Sequence, residues 1–345
     1  MMRAAVYHGR RDIRIEQVPI PKPKAGEVLV AVRRNGLCGT DAAEWANGPV
    51  LVPLHRRHPA SGHVGPMIPG HEFAGEVVEG IPGLPAGTMV SSGAGVWCGQ
   101  CDRCASGRTN VCRDYYTLGL NAPGGLAEYA AVPAKTLRPV PAGMSADSAG
   151  MAQPLAVGLH AARRAGVRDG DSVVLIGAGA IGTFVLAGLA RLRNAEITVL
   201  DLPGPKLERA AKLGAARTLP AGPDAVEAVL EGTGGADVVI EASGAPGQFE
   251  NALRMVAAGG RVLAVGLPKE KPAVDLASLA LREVTVESTV AHVCATDLGP
   301  ALEILADGTL ESLLLDSVIP LADLVSRGVE PLAAGRVDGK ILVAP

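Results

Sequence analysis

Aromatic residues are scarce, making up 3% of the 345 positions. Such a chain is not furnished to hold large flat substrates. Neither sign of charge is in excess: Lys and Arg number 32 against 35 for Asp and Glu, a formal net charge of −3. That balance leaves no electrostatic footprint for nucleic acid or for an anionic membrane. A clean membrane-length apolar run is also missing. Val173 to Ala190 carries no charge and approaches spanning length, but Gly177, Gly179, Gly182 and Gly188 interrupt it and Asp171 and Arg191 bracket it. Met1 to Glu16 carries several charges and no apolar core of signal length, so the expectation is a cytoplasmic protein with no membrane partner. Cysteines number only six, yet four crowd between Cys98 and Cys112. In a chain without a secretory signal, that clustering points to metal rather than to disulfides.

What is present is apolar side chain (48%) and glycine (44 residues). This balance suits an α/β protein with strands buried on both faces. The length favours two domains. Up to about residue 150 the chain reads as short β-rich runs, among them Met2 to Tyr7, Glu27 to Arg33, Glu76 to Glu79 and Thr88 to Ser91. Gly and Pro punctuate a long loop from Gly48 to Gly70. From about Gly170 apolar runs alternate with helical stretches, as in a doubly wound parallel sheet. After about Val290 the character is mixed again, with a helix near Leu298 to Leu305 and a last strand at Lys340 to Val343.

Gly177-Ala178-Gly179-Ala180-Ile181-Gly182 fits G-x-G-x-x-G, follows a strand at Ser172 to Ile176 and opens a helix. Gly177 permits the tight turn, Gly179 lets backbone approach a pyrophosphate, and Gly182 lets helix and strand pack closely. Asp201 ends the next strand, where a carboxylate bonds ribose hydroxyls and repels a 2′-phosphate. No Arg adjoins it, so NAD is expected rather than NADP. Cys98, Cys101, Cys104 and Cys112 are spaced C-x2-C-x2-C-x7-C. Four thiolates close a tetrahedron and leave no open position, so this zinc is expected to be structural.

Cys38 lies in Gly36-Leu37-Cys38-Gly39-Thr40-Asp41, and His71 and Glu72 in Gly70-His71-Glu72-Phe73-Ala74-Gly75. These segments, the four-cysteine loop, Gln153-Pro154-Leu155-Ala156-Val157-Gly158-Leu159-His160 and the glycine motif occur in an order and spacing that resemble the zinc-containing medium-chain alcohol dehydrogenase family over nearly the full length. Glu44 to Gly75 is most similar to the polyol and 2,3-butanediol dehydrogenase branch.

The resemblance implies a GroES-like β-rich catalytic domain (residues 1–155 and 291–345) and a Rossmann NAD-binding domain (156–290), with the active site in the cleft between them. It implies that Cys38 and His71 bind a catalytic zinc, that Glu72 ligates the ion directly or sits beside it in the catalytic site, and that Gln153 is a further ligand. Asp41 would orient His71, and Thr40 would bond the hydroxyl of a small alcohol or ketone substrate. Ala242, Ser243, Val265 and Gly266 would line the NAD site together with Gly177, Gly179, Ile181, Gly182 and Asp201. A homodimer or homotetramer would pair through edge strands near Val284 to Val290. Trp45 is the bulky residue expected to shape the pocket.

Two positions depart from that branch. Gln153 stands where it has Glu, and Ala43 where it has the His of a proton relay; Glu44, His55, His58 or His63 are candidate substitutes for the relay. A zinc-independent reductase on the same fold, or an NAD-binding non-enzyme with a degenerate metal site, are the alternative readings of these departures.

Overall fold

The computed structural model describes residues 1–268 and 270–345. They form two compact units, Met1–Ala156 with His292–Pro345, and Val157–Ala291.

The second unit holds a six-stranded sheet in the spatial order Arg217–Pro220, Glu196–Asp201, Ser172–Ile176, Ala236–Glu241, Val256–Ala264, Thr285–Ser288. Every neighbouring pair is parallel. Numbered along the chain the order is 3-2-1-4-5-6, that of a doubly wound dinucleotide fold. Its strands read as continuous apolar runs because both faces are covered. Val173 and Leu175 turn to one core, with Val185, Leu186 and Leu189 of the helix Ala180–Leu192. Val174 and Ile176 turn to the other, with Val226, Val229, Ala252 and Leu253 of the helices Ala225–Thr233 and Gln248–Met255. The uncharged run Val173 to Ala190 is thus a strand, a turn and most of a helix. Among the described residues no helix is long and apolar enough to cross a membrane.

In the first unit a seven-stranded sheet runs Leu315–Pro320, Lys340–Ala344, Glu27–Gly36, Glu72–Val77, Met89–Ser92, Leu137–Pro139, and Tyr129–Pro133 also pairs with Glu27–Gly36. The register sets Gly36 opposite both Glu72 and Leu342. Three segments distant in sequence therefore meet at one end of the sheet. The strand expected from Glu76 begins earlier, at Glu72. Its opening acid is buried, which a period-2 pattern does not anticipate. The helix expected near Leu298 starts at Cys294. Residues 48–70 contain no strand or helix, as the Gly and Pro content predicts.

Candidate active site and metal centres

In the four-cysteine loop the sulfurs of Cys98 and Cys112 are 3.5 Å apart, Cys101 and Cys104 3.6 Å, Cys101 and Cys112 3.8 Å, and Cys98 and Cys104 4.0 Å. A disulfide would need about 2.05 Å. A tetrahedron with metal–sulfur arms of about 2.3 Å has edges of about 3.8 Å. The donor set fits zinc. Backbone N–H groups of Arg113 and Cys104 pull the Cys101 thiol down to about 6, which favours the thiolate a metal needs, while burial pushes Cys104 up to about 12. The motif supplies ligands, and the fold supplies amides that stabilise their charge.

The second cluster forms where the strand Glu27–Gly36 gives way to the helix Gly39–Asn47, beside the start of the strand Glu72–Val77. Ligand atoms of Cys38, His71 and Glu72 lie within 4.8 Å of one another. His71 follows Gly70, whose φ of 94° favours glycine. A Cβ there would also sit 2.6 Å from Asn35 Oδ1 and 2.7 Å from Leu126. Asp41 joins the two ligand segments. Its Oδ2 accepts the Cys38 N–H at 2.9 Å, and its Oδ1 faces His71 Nδ1 at 3.5 Å. Neither of those facing atoms has a hydrogen-bond partner among the described residues. With Nδ1 turned to Asp41, the other ring nitrogen is left for an ion. Burial opposes a charged His71 ring, but Asp41 and the Cys38 sulfur outweigh it and raise its pKa well above the ordinary value. A thiol, an imidazole and a carboxylate gathered within 4.8 Å of one another form a donor set that fits a divalent cation.

The cofactor motif sits at the point where the strand order reverses, between Ser172–Ile176 and Ala236–Glu241. Gly177 has φ 99°, and a Cβ on it would lie 2.9 Å from Ser243 N. A Cβ on Gly182 would lie 1.8 Å from the Gly177 carbonyl. On Gly179 it would meet nothing within 4 Å, so packing does not require glycine there, whereas close approach of a ligand does. Gly179 is the N-cap of the helix Ala180–Leu192 and has no side chain to satisfy the helix's first amides, which suits an anionic ligand. Ile181, Ala242 and Val265 lean on the sheet core. Asp201 Oδ2 accepts the Ala178 N–H at 2.6 Å and Oδ1 that of Leu202 at 2.7 Å, which ties the acid to the glycine turn. These residues fit a dinucleotide.

Residues 24–142 match the alcohol dehydrogenase GroES-like domain, and residues 180–307 the zinc-binding dehydrogenase family. (R,R)-Butanediol dehydrogenase of Bacillus subtilis (strain 168) is 30% identical over 352 residues, covering 100% of both chains. The chain belongs to the zinc-containing medium-chain alcohol dehydrogenases. Sorbitol dehydrogenase of the same organism is 30% identical over 99% of this chain and 89% of its own. The crystal structure of 2R,3R-butanediol dehydrogenase from B. subtilis superposes with a TM-score of 0.91 at 28% identity, covering 100% of both chains. The expected family, two-part fold and oxidoreductase character are those found.

In this dehydrogenase several residues serve otherwise than their positions suggested. Glu44, a candidate relay group, is 5% exposed, and its carboxylate accepts the N–H groups of Val50 at 2.8 Å, Leu51 at 2.9 Å and Val52 at 3.4 Å. It anchors the long loop to the helix that carries Thr40 and Asp41. His58 Nδ1 accepts the Ser61 N–H at 3.2 Å, and His63 Nε2 lies 3.2 Å from the Gly65 carbonyl, so both brace the loop's own turns. Burial lowers the His58 pKa. Trp45 packs into a core with Leu37, Leu126, Leu324 and Val329, with Arg11 5.6 Å over its ring. Gln153 is buried in the first turn of the helix Ala152–Arg164.

Sequence reasoning missed two cations. Lys206 Nζ lies 3.9 Å from Asp201 Oδ1. Lys340 is 3% exposed, ion-paired with Glu72, and donates to the Leu37 carbonyl at 2.8 Å. A lone Lys opening a last strand carries no local signal of such a role.

Proposed function

We propose that the protein oxidises a small secondary alcohol (a vicinal diol, polyol or sugar-like alcohol) to the ketone, with NAD as hydride acceptor. The observation that carries this reading is the buried trio Cys38, His71 and Glu72, with Asp41 behind the imidazole. The butanediol and sorbitol dehydrogenases among its relatives support the substrate class. Cys38 and His71 would hold a zinc ion, with Glu72 and Gln153 as further ligands. The ion supplies Lewis-acid stabilisation of negative charge on the alcohol oxygen. Asp41 holds His71 in one tautomer and orientation. Thr40 Oγ1, 3.6 Å from the Cys38 sulfur, is placed to hydrogen-bond the substrate hydroxyl. NAD, when bound, would supply the acceptor for the hydride of the alcohol C–H bond, and the O–H proton would leave to solvent. Asp201 makes NAD the preferred dinucleotide. Lys206 beside it leaves room for weaker use of NADP.

Metal analysis coupled to an activity screen tests this. About two zinc ions per chain and NADH formation from secondary alcohols are expected. Cys38→Ser should leave about one ion and no turnover. Normal turnover in that variant overturns the zinc reading.

The assembly is proposed to be a homodimer or homotetramer. Thr285–Ser288 is an edge strand, with Val286 43% and Val290 55% exposed, and Leu276 and Leu281 nearby in sequence are 73% and 88% exposed. An apolar open edge of this kind is usually covered. Sedimentation at a single-chain mass would refute this. The clustered free thiols suit the reducing cytoplasm.

A further inference from the structure

The mechanism above leaves one buried acid unused. Glu241, the last residue of the strand Ala236–Glu241, is 2% exposed. Its Oε1 accepts the N–H of Ser243 at 2.8 Å, that of Gly244 at 2.9 Å, and the Ser243 hydroxyl. Its backbone carbonyl accepts the N–H of Val265 at 2.8 Å and of Gly266 at 2.9 Å. One residue thus satisfies four amides of two turns that would otherwise be orphaned near the carboxyl ends of neighbouring strands. The turns are packed to backbone contact. A Cβ on Gly266 would lie 2.2 Å from Gly244 N and 2.6 Å from Glu241 Oε2. Through Ser243 the same assembly abuts Gly177 of the phosphate turn.

The chemistry of this hub separates the two ends of a dinucleotide. The Gly177–Gly182 turn opens the helix Ala180–Leu192, whose N-terminus suits phosphate. In the Glu241 turns the amides of Ser243 and Gly244 are turned inward to the carboxylate, and those of Val265 and Gly266 to the Glu241 backbone carbonyl. The turns therefore offer a ligand carbonyl acceptors and apolar surface, and a buried acid here repels phosphate. Asp201 ends the strand on one side of Ser172–Ile176, where an acid takes the adenosine ribose, and Glu241 ends the strand on the other side, so the half of NAD that reaches the Glu241 turns is the nicotinamide. We propose that Glu241 is a positioning residue for the nicotinamide half, fixing Ala242–Gly244 and Val265–Gly266 in the conformation that receives it. This rests on the dinucleotide reading of the unit.

The test compares binding of NADH, followed by nicotinamide fluorescence, with binding of AMP, which carries only the adenosine half. Wild-type protein should bind both; failure to bind either would remove the dinucleotide reading itself. In Glu241→Gln the amide oxygen is a poorer acceptor and its NH2 is forced against the packed turns. NADH affinity should fall about tenfold, since a buried charge-assisted bond is weakened. AMP affinity should stay within about twofold. The fluorescence gain of bound NADH should also shrink. Equal losses for NADH and AMP, or unchanged NADH binding, overturn the proposal. If Glu241→Gln does not fold, Ser243→Ala removes the hydroxyl bonded to Glu241 and keeps the acid. It should weaken NADH about threefold with AMP unchanged, and the same two outcomes overturn it.

Discussion

Lys340 joins the two segments of the Cys38–His71–Glu72 cluster, ion-paired with Glu72 beside His71 and bonded to the Leu37 carbonyl beside Cys38. Both side chains are almost wholly buried, and the pair is an ion contact rather than an aligned hydrogen bond. Removing one partner leaves an uncompensated buried charge. Lys340→Met should therefore lower unfolding free energy by about 3–5 kcal/mol. The freed Glu72 carboxylate should hold metal more tightly, so zinc retention against a chelator should rise even as denaturant resistance falls. A variant as stable as wild type would show that the contact carries no weight.

That relationship marks what the sequence could not show. Lys340 and Leu37 lie 303 positions apart, and only the antiparallel pairing of the last strand, Lys340–Ala344, with Glu27–Gly36 brings them together. The dinucleotide unit was legible because its signals are local: apolar runs of strand length, glycines at fixed offsets, and an acid at the next strand end. The four-cysteine loop was legible from spacing alone. The Cys38–His71–Glu72 centre needed a family resemblance, since each residue by itself reads as ordinary. Glu44 was legible as an acid near the site but not as a loop anchor, because its partners are backbone amides, which leave no trace in side-chain pattern.

Glu44 provides a direct check of that anchoring. Glu44→Gln keeps the size but sets an NH2 group against the Leu51 or Val50 N–H. The cost should be about 1–3 kcal/mol, the usual penalty for leaving a buried donor unmet. Limited proteolysis should then cut within residues 50–62 at a higher rate, while zinc content stays unchanged. Loss of zinc without faster cleavage would place Glu44 in the metal centre instead.

Glu311 sets part of the acid limb of stability. Burial pushes its pKa up, but the hydroxyls of Ser145 and Ser148 and the Ser148 N–H outweigh burial and hold it below 4.5. A depressed carboxyl contributes stability above its unfolded value, and that contribution is lost as pH falls through the folded value. The difference in melting temperature between wild type and Glu311→Gln should be largest near neutrality and should close below about pH 4.5. A difference that persists unchanged at lower pH would mean that packing, not charge, links the helices Ala146–Ala149 and Thr309–Leu314.

Gln153 is the departure with the clearest chemical consequence. An amide oxygen carries no net charge, so a zinc held by Cys38, His71, Glu72 and Gln153 keeps more positive charge than one with a further carboxylate. Glu72 already shares its charge with Lys340. Greater charge at the ion weakens its retention by the protein and lowers the pKa of an alcohol that meets it. Gln153→Glu should reverse both effects. Zinc should resist chelation by at least about tenfold more, and the alkaline rise of kcat should move to higher pH by about one unit. The two readouts must move together, because both follow from the same added charge. Tighter zinc with an unmoved pH profile would place Gln153 near the ion but remove it from the control of alcohol ionisation. No change in either would leave Glu72 as the acid that completes the site.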